Sequence, residues 1–290
     1  MRRLTGTLLA IALLAGCGEE GSTEGETVAV ATTTQLADLT RNVAGDGVVV
    51  EQILRPGSDP HGYEPRPSDV RNLERAELVL NSGGDVDEWV GELVDNSGTH
   101  ADEVQPFKPG ADPHWWQNPR NAIRATEAIR RALTERRFDA GPAAAYIERL
   151  RELDTEVERC IARLPRGSRK LVTTHDSLGP YADRYGLEVI GAVIPSRSSQ
   201  AQPSSKEIGE LVDQIEKEGV NAIFPESSLD SKLEDAVARE SGATVGGALW
   251  ADSLGPEGST GATYIDSIAS NTAEIVKGLS GGKIACRPSA

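Results

Sequence analysis

The sequence is short of the residues on which compact metal and nucleic-acid motifs are built. Its 290 residues hold only four histidines (His61, His100, His114 and His175), and no pair has the His-x-x-x-His spacing of a helical metal site. Positive charge is also scarce, with 30 Lys and Arg against 45 Asp and Glu. Loss of residues 1–16 would take Arg2 and Arg3 and no acidic residue, moving the formal charge from −15 to −17. That balance argues against nucleic acid as a partner. The apolar run Leu8 to Leu14 is too short to span a bilayer. Fixed-period repeats are absent, so a solenoid is excluded.

The N-terminus is nonetheless organised. Arg2 and Arg3 precede the apolar run, and Leu14-Ala15-Gly16-Cys17 follows it. The pattern reads as a lipoprotein signal over 1–16, cleaved before a lipidated Cys17. The other reading is an ordinary secretory signal with an incidental cysteine. Residues 17–27 are polar and serve as a tether. The chain is thus expected outside the cytoplasm, held at the membrane by lipid. Apart from Cys17, only Cys160 and Cys286 remain. An even pair in an exported chain suggests a disulfide, with two separate thiols as the alternative.

Hydrophobic periodicity divides the rest into two α/β lobes. In the first, 28–140, strands over 27–34, 48–54 and "ELVLNSG" alternate with helical stretches. Gly45 is the expected C-cap of the first helix, and Ser68 or Asp69 the expected cap of the second. A helix is expected from Asn118 to Arg136. Residues 141–165 read as one long helix, with Tyr146, Leu150, Leu153, Val157 and Ile161 on one face. Pro142 suits its first turn and Pro165 ends it. The second lobe, 166–290, repeats strand and helix four times, which predicts a parallel sheet. The fold class is therefore α/β, two lobes with mostly parallel sheets joined by a single long backbone helix. The polar loop "SRSSQAQPSS" (196–205) has no evident partner.

Three histidines and one aspartate fall where strands end. His61 lies in "GSDPHGYEPRPSD" after the strand 48–54, and His114 in "ADPHWWQNP" before a helix. His175 follows "KLVTT", and Asp252 follows "ATVGGALWA". Ligands of open α/β sheets bind beyond the carboxyl ends of strands, so these four converge on the cleft between lobes. Three imidazoles and a carboxylate suit Zn²⁺ and tolerate Mn²⁺. Asp59 and Asp112 of the two Asp-Pro-His copies are candidate acceptors for a ring N–H. His100 reads as a surface residue, and Glu64-Pro65-Arg66-Pro67 as loop scaffolding.

The segments "DPHGYEPRPSD", "DPHWWQNP", "LVTTHDSLGPYADRYGL", "IFPESSLDSK" and "ADSLGPEGSTGATYIDSIASN" together resemble the zinc- and manganese-binding lipoproteins that feed ABC transporters. The resemblance covers nearly the whole mature chain. It implies that His61, His114, His175 and Asp252 are the metal ligands, that lobe movement is modest, and that a monomeric receptor delivers the ion to a membrane permease. Many zinc-specific members carry a His-rich loop before the second Asp-Pro-His. Here that interval, Asp95 to Gly110, holds only His100. Asn118 stands where an acidic residue is common in the family. His175 in place of Glu favours zinc over manganese. Two other classes compete. A secreted zinc hydrolase would use Glu64 as general base, and an adhesin would hold metal only structurally.

Overall fold

The computed structural model describes residues 27–45, 47–107 and 111–289. The signal, Cys17 and most of the tether lie outside them. No helix among the described residues is long and apolar enough to cross a membrane.

The first lobe is built on one four-stranded parallel sheet, ordered β2-β1-β3-β4. The strands are β1 (Thr27–Ala31), β2 (Val48–Gln52), β3 (Leu78–Leu80) and β4 (Asp102–Val104). Both faces of the sheet are covered, as parallel sheets require. Side-chain alternation splits β1 and β3 between two cores. Ala29, Ala31, Leu78 and Leu80 enter the main core, while Val30 and Val79 enter a smaller one with Ile53, Leu73 and Leu93. β4 escapes the sequence reading because Asp102 and Glu103 have low strand propensity. It forms as an edge strand in register with Leu78–Leu80.

Two expected caps are corrected. The first helix, α1 (Thr34–Val43), ends on Ala44 rather than Gly45. Gly45 donates its N–H to the Asp139 carbonyl at 3.0 Å. A Cβ there would sit 2.3 Å from the Asp139 carboxylate, so glycine is needed for close approach. The second helix, α2 (Pro67–Glu74), starts on Pro67 with Arg66 as N-cap. Asp69 is its third residue. Its carboxylate accepts the Arg66 N–H at 2.7 Å and the Tyr63 hydroxyl at 2.6 Å. The proline-rich segment after His61 is thereby fastened to a helix start, with Pro67 where a missing N–H costs nothing.

Next come α3 (Trp89–Ser97) and α4 (Pro119–Glu135). Asn118 caps α4, its side chain accepting the Arg120 N–H at 3.0 Å. The long helix, α5 (Ala143–Ala162), has 20 residues and is about 30 Å long. Its expected apolar face, Tyr146, Leu150, Leu153, Val157 and Ile161, is buried. On the same helix Asp154 receives Arg120 of α4 at 3.1 Å and Arg184 at 2.7 and 2.8 Å. Burial alone would raise the Asp154 pKa, but Arg184 and Arg120 outweigh it and hold the carboxyl below its usual range.

The second lobe has β5 (Lys170–His175), α6 (Gly179–Tyr185), β6 (Glu188–Ile194), α7 (Ser205–Glu218), β7 (Ala222–Ile223), α8 (Lys232–Ser241), β8 (Thr244–Val245) and α9 (Tyr264–Leu279). The expected continuous sheet is instead two parallel pairs, β5-β6 and β7-β8. A single bridge, Thr173 to Phe224, joins them, and a second, Glu226 to Leu249, continues the β7-β8 pair. Within the second pair, a Cβ at Gly246 of "TVGGAL" would come 2.7 Å from the Phe224 ring, so glycine lets the two segments approach.

One core runs through both lobes. Leu36, Trp116, Leu150, Leu171, Phe224 and Ile268 all belong to it. Cys160 of α5 and Cys286 of the C-terminal tail are bonded, their Cα atoms 5.6 Å apart. The bond spans 126 residues, and the chain-entropy model assigns such a closure about 4–5 kcal/mol.

Candidate metal centre

Each Asp-Pro-His copy makes the same local turn. The Asp59 carboxylate accepts the His61 backbone N–H at 3.0 Å, and Asp112 accepts that of His114 at 2.9 Å. These are Asx turns, with the intervening proline holding φ. His175 is placed differently, as the last residue of β5, paired with Ile194. Asp252 sits in the loop after β8.

The structure brings these four residues together. One ligand atom from each lies within 4.8 Å of the others. Nε2 of His61 is 3.2 Å from Asp252 Oδ2, and Nε2 of His175 is 3.1 Å from the same oxygen. Nε2 of His114 is 3.5 Å from Asp252 Oδ1 and 3.3 Å from His175 Nε2. Ligands placed 2.0–2.2 Å from a tetrahedral Zn²⁺ stand about 3.3–3.6 Å apart, close to these four separations. All four side chains are at most 2% exposed.

Burial makes the arrangement costly without a cation. His61 Nε2 and both Asp252 oxygens have no hydrogen-bond partner, although they lie within 3.5 Å of a neighbour in the cluster. They point at a common centre rather than along one another's hydrogen-bond directions. Unpartnered buried polar atoms cost about 1–3 kcal/mol each, and a bound cation removes that cost.

The far ring nitrogens are held so that Nε2 faces inward. His61 Nδ1 lies 3.2 Å from the Asp85 carbonyl. That carbonyl belongs to a loop tied down by buried Asp87, which accepts from Thr32 Oγ1 at 2.5 Å and the Ser82 and Gly83 N–H groups at 2.7 and 2.8 Å. His175 Nδ1 is hydrogen-bonded to Glu226, just past β7. Asp59 does not reach the His61 ring, so the expectation of a ring acceptor there is corrected. Asp112 Oδ1 is 3.4 Å from His114 Nδ1, poorly aligned, and its firm bond is to the backbone. Glu226 was legible in principle: it follows the strand "NAIF" as Asp252 follows "ATVGGAL".

Electrostatics follow from the carboxylates. Burial disfavours charge on His61 and His175, but Asp252 outweighs it in both. With Glu226 added, the His175 pKa rises to about 11. Burial likewise opposes charge on Asp252, yet His175 and His114 hold it well below the carboxylate range. Burial raises the Glu226 pKa, and His175 offsets part of that rise. A cation that takes the imidazole nitrogens therefore has to displace a proton.

Asp252 comes from the second lobe but is gripped by the first. Trp116 Nε1 and Gln117 Nε2 both donate to the Ala251 carbonyl, at 2.8 and 2.7 Å. Leu254 N–H donates to Thr34 Oγ1 at 2.8 Å, and Gly57 N–H donates to the Leu254 carbonyl at 2.8 Å. Glu64 is exposed and outside the cluster, so it is not placed as a general base. His100 is exposed and outside it too.

Known proteins resemble this chain over most of its length. A profile described as "Zinc-uptake complex component A periplasmic" (ZnuA) matches residues 29–278. The manganese-binding lipoprotein MntA of Halalkalibacterium halodurans is 31% identical over 292 residues, covering 94% of this chain and 97% of that protein. The iron-binding protein YfeA of Yersinia pestis is 31% identical over 269 residues, covering 86% and 85%. The structure of the periplasmic zinc binding protein TroA from Treponema pallidum superposes with a TM-score of 0.81 at 28% identity, covering 88% of this chain and 99% of that one. Those three names carry three different metals. The chain belongs to the ZnuA family of metal ABC transporter substrate-binding proteins, and it is a solute receptor rather than an enzyme.

Proposed function

We propose that this protein captures one divalent transition-metal ion, Zn²⁺ foremost, between His61, His114, His175 and Asp252. It then hands the ion to a membrane permease. In this reading the receptor is a monomer, held on the outer side of the membrane by a lipid on Cys17. The observation that carries it is the buried, unpartnered convergence of three imidazole nitrogens and one carboxylate. Neutral imidazoles and one anionic oxygen suit zinc, and three histidines are a softer set than manganese prefers.

Manganese is the second reading, and one feature favours it. Both Asp252 oxygens face the imidazoles, so a bidentate carboxylate would offer a fifth donor. The relative named manganese-binding supports the same reading.

Isothermal titration of the lipid-free chain tests the proposal. One Zn²⁺ per chain is expected, with proton release that differs between buffers of different ionisation enthalpy. Affinity should fall as pH is lowered, and the fall should begin above the ordinary imidazole value near 6.5, because His61 and His175 hold their protons to higher pH in the metal-free site. Full affinity in His61→Ala would refute the ligand set. Competition between Zn²⁺ and Mn²⁺, on wild type and His175→Glu, separates the two metals.

A further inference from the structure

The polar loop after β6 meets both Asp-Pro-His turns across the cleft. Each aspartate divides its two oxygens. Oδ1 holds the backbone N–H of a ligand histidine, as described above. Oδ2 of Asp59 accepts from Ser199 Oγ at 2.7 Å and from Gln200 Nε2 at 2.8 Å. Oδ2 of Asp112 faces Arg197 Nη2 at 3.9 Å. The approach is close: a Cβ on Gly62 would sit 2.9 Å from Gln200 Nε2. The root of the loop is fastened beside His175, because Asp176 N–H donates to the Ser196 carbonyl at 2.9 Å. Beside these contacts opens a polar cavity of about 650 Å³, lined by Asp59, Gly62, Glu64 and Gln200 among others.

We propose that Ser196–Gln200 is a latch that sets how long the metal stays bound. The proposal rests on the receptor reading of the same site. His61 and His114 are held by the first lobe, and the Asp252 loop is tied to it as well as to Asn271 of its own lobe, whereas His175 and the latch ride together on β5 and β6. His175 cannot leave the other three ligands without breaking the bonds to Asp59. Conversely, those bonds hold His175 against the ion. Ser199 and Gln200 touch no ligand atom, so they are positioning residues. Their expected signature is in the dissociation rate, where differences among related complexes concentrate.

The test uses the whole lipid-free chain loaded with Zn²⁺ alone and chased with excess chelator in a stopped-flow instrument. In the double variant Ser199→Ala/Gln200→Ala, dissociation should quicken on the order of tenfold, as loss of charged hydrogen bonds implies. Association should stay within about twofold, with one ion still bound per chain. The conservative Ser199→Thr should restore slow release partly when Gln200 is kept. Gly62→Ala displaces Gln200 without altering any latch or ligand side chain, and should quicken release in the same direction. Dissociation unchanged within about twofold in the double variant and in Gly62→Ala would overturn the latch. A wild-type chain that binds no metal would instead overturn the receptor reading, and the latch with it.

Discussion

The two lobes present their ligands by different means. The first has an uninterrupted four-stranded sheet and carries His61 and His114 on loops, each fixed by an aspartate two residues earlier. The second has a sheet broken into two pairs and carries His175 directly on a strand end, steadied by Glu226. A loop can be shaped by an Asx turn and a proline from the sequence alone. A strand end is placed by its neighbours, so its histidine depends on β6, on β7 and on a carboxylate 51 residues away. The second lobe is thus the more contingent half.

Breaking that comparison starts with the disulfide, which straps the end of the second lobe to α5. Reducing Cys160–Cys286 should cost about 2–5 kcal/mol of stability, read as a drop in thermal midpoint. Hydrogen exchange should show lost protection in α9 and the tail, and little change in β1 to β3. An even loss across both lobes would show that the second is not the weaker half. Removing a ligand should matter equally on either side: His61→Ala and His175→Ala should each weaken Zn²⁺ binding by more than about 100-fold, beyond the range of supporting residues. Glu226→Gln should weaken binding about 10–100-fold by titration. Its counterpart in the first lobe, the Asp85 carbonyl, is backbone and cannot be removed by substitution. Changes at Asp85 should therefore leave affinity within about twofold.

The smallest effect concerns Asp154, which Arg120 and Arg184 reach from the two sides of α5. Asp154→Asn should cost about 1–2 kcal/mol near neutral pH, discounted because the Arg120 side chain is 58% exposed. The folded carboxyl titrates below its unfolded value near 3.9, so the contribution is complete well above that pH and is lost as pH falls through the folded value. The gap in melting temperature between wild type and variant should close as pH is lowered below about 4.

Much of this architecture is readable in the chain. The apolar face of α5 repeats every three or four residues, and that period is local. The four cleft residues each follow a strand or precede a helix, so strand-end logic collects them. What escapes is whatever long-range approach decides. β4 is strand only because Leu78–Leu80 offer it a partner. Gly45 looks like a helix stop, but the nearness of Asp139 is what demands glycine there. Gly246 is required because the Phe224 ring lies beside it. The partner of Ser199 and Gln200 lies 140 residues upstream, and no local pattern announces it.

The Leu249–Leu254 segment has a consequence for how the molecule could be taken apart. It is encoded after the second sheet yet bonded through Ala251 and Leu254 to Trp116, Gln117, Thr34 and Gly57 of the first lobe. Even with Cys160–Cys286 reduced, a cut between residues 165 and 170 would therefore not yield two independent halves. The upstream fragment would keep two of the cluster histidines, His61 and His114, and lack the carboxylate. The downstream fragment would keep His175 and Asp252 with half of the grip on Asp252 gone. Neither piece should hold metal, while mixing them should rebuild one site, with the metal acting as the glue of the reunion.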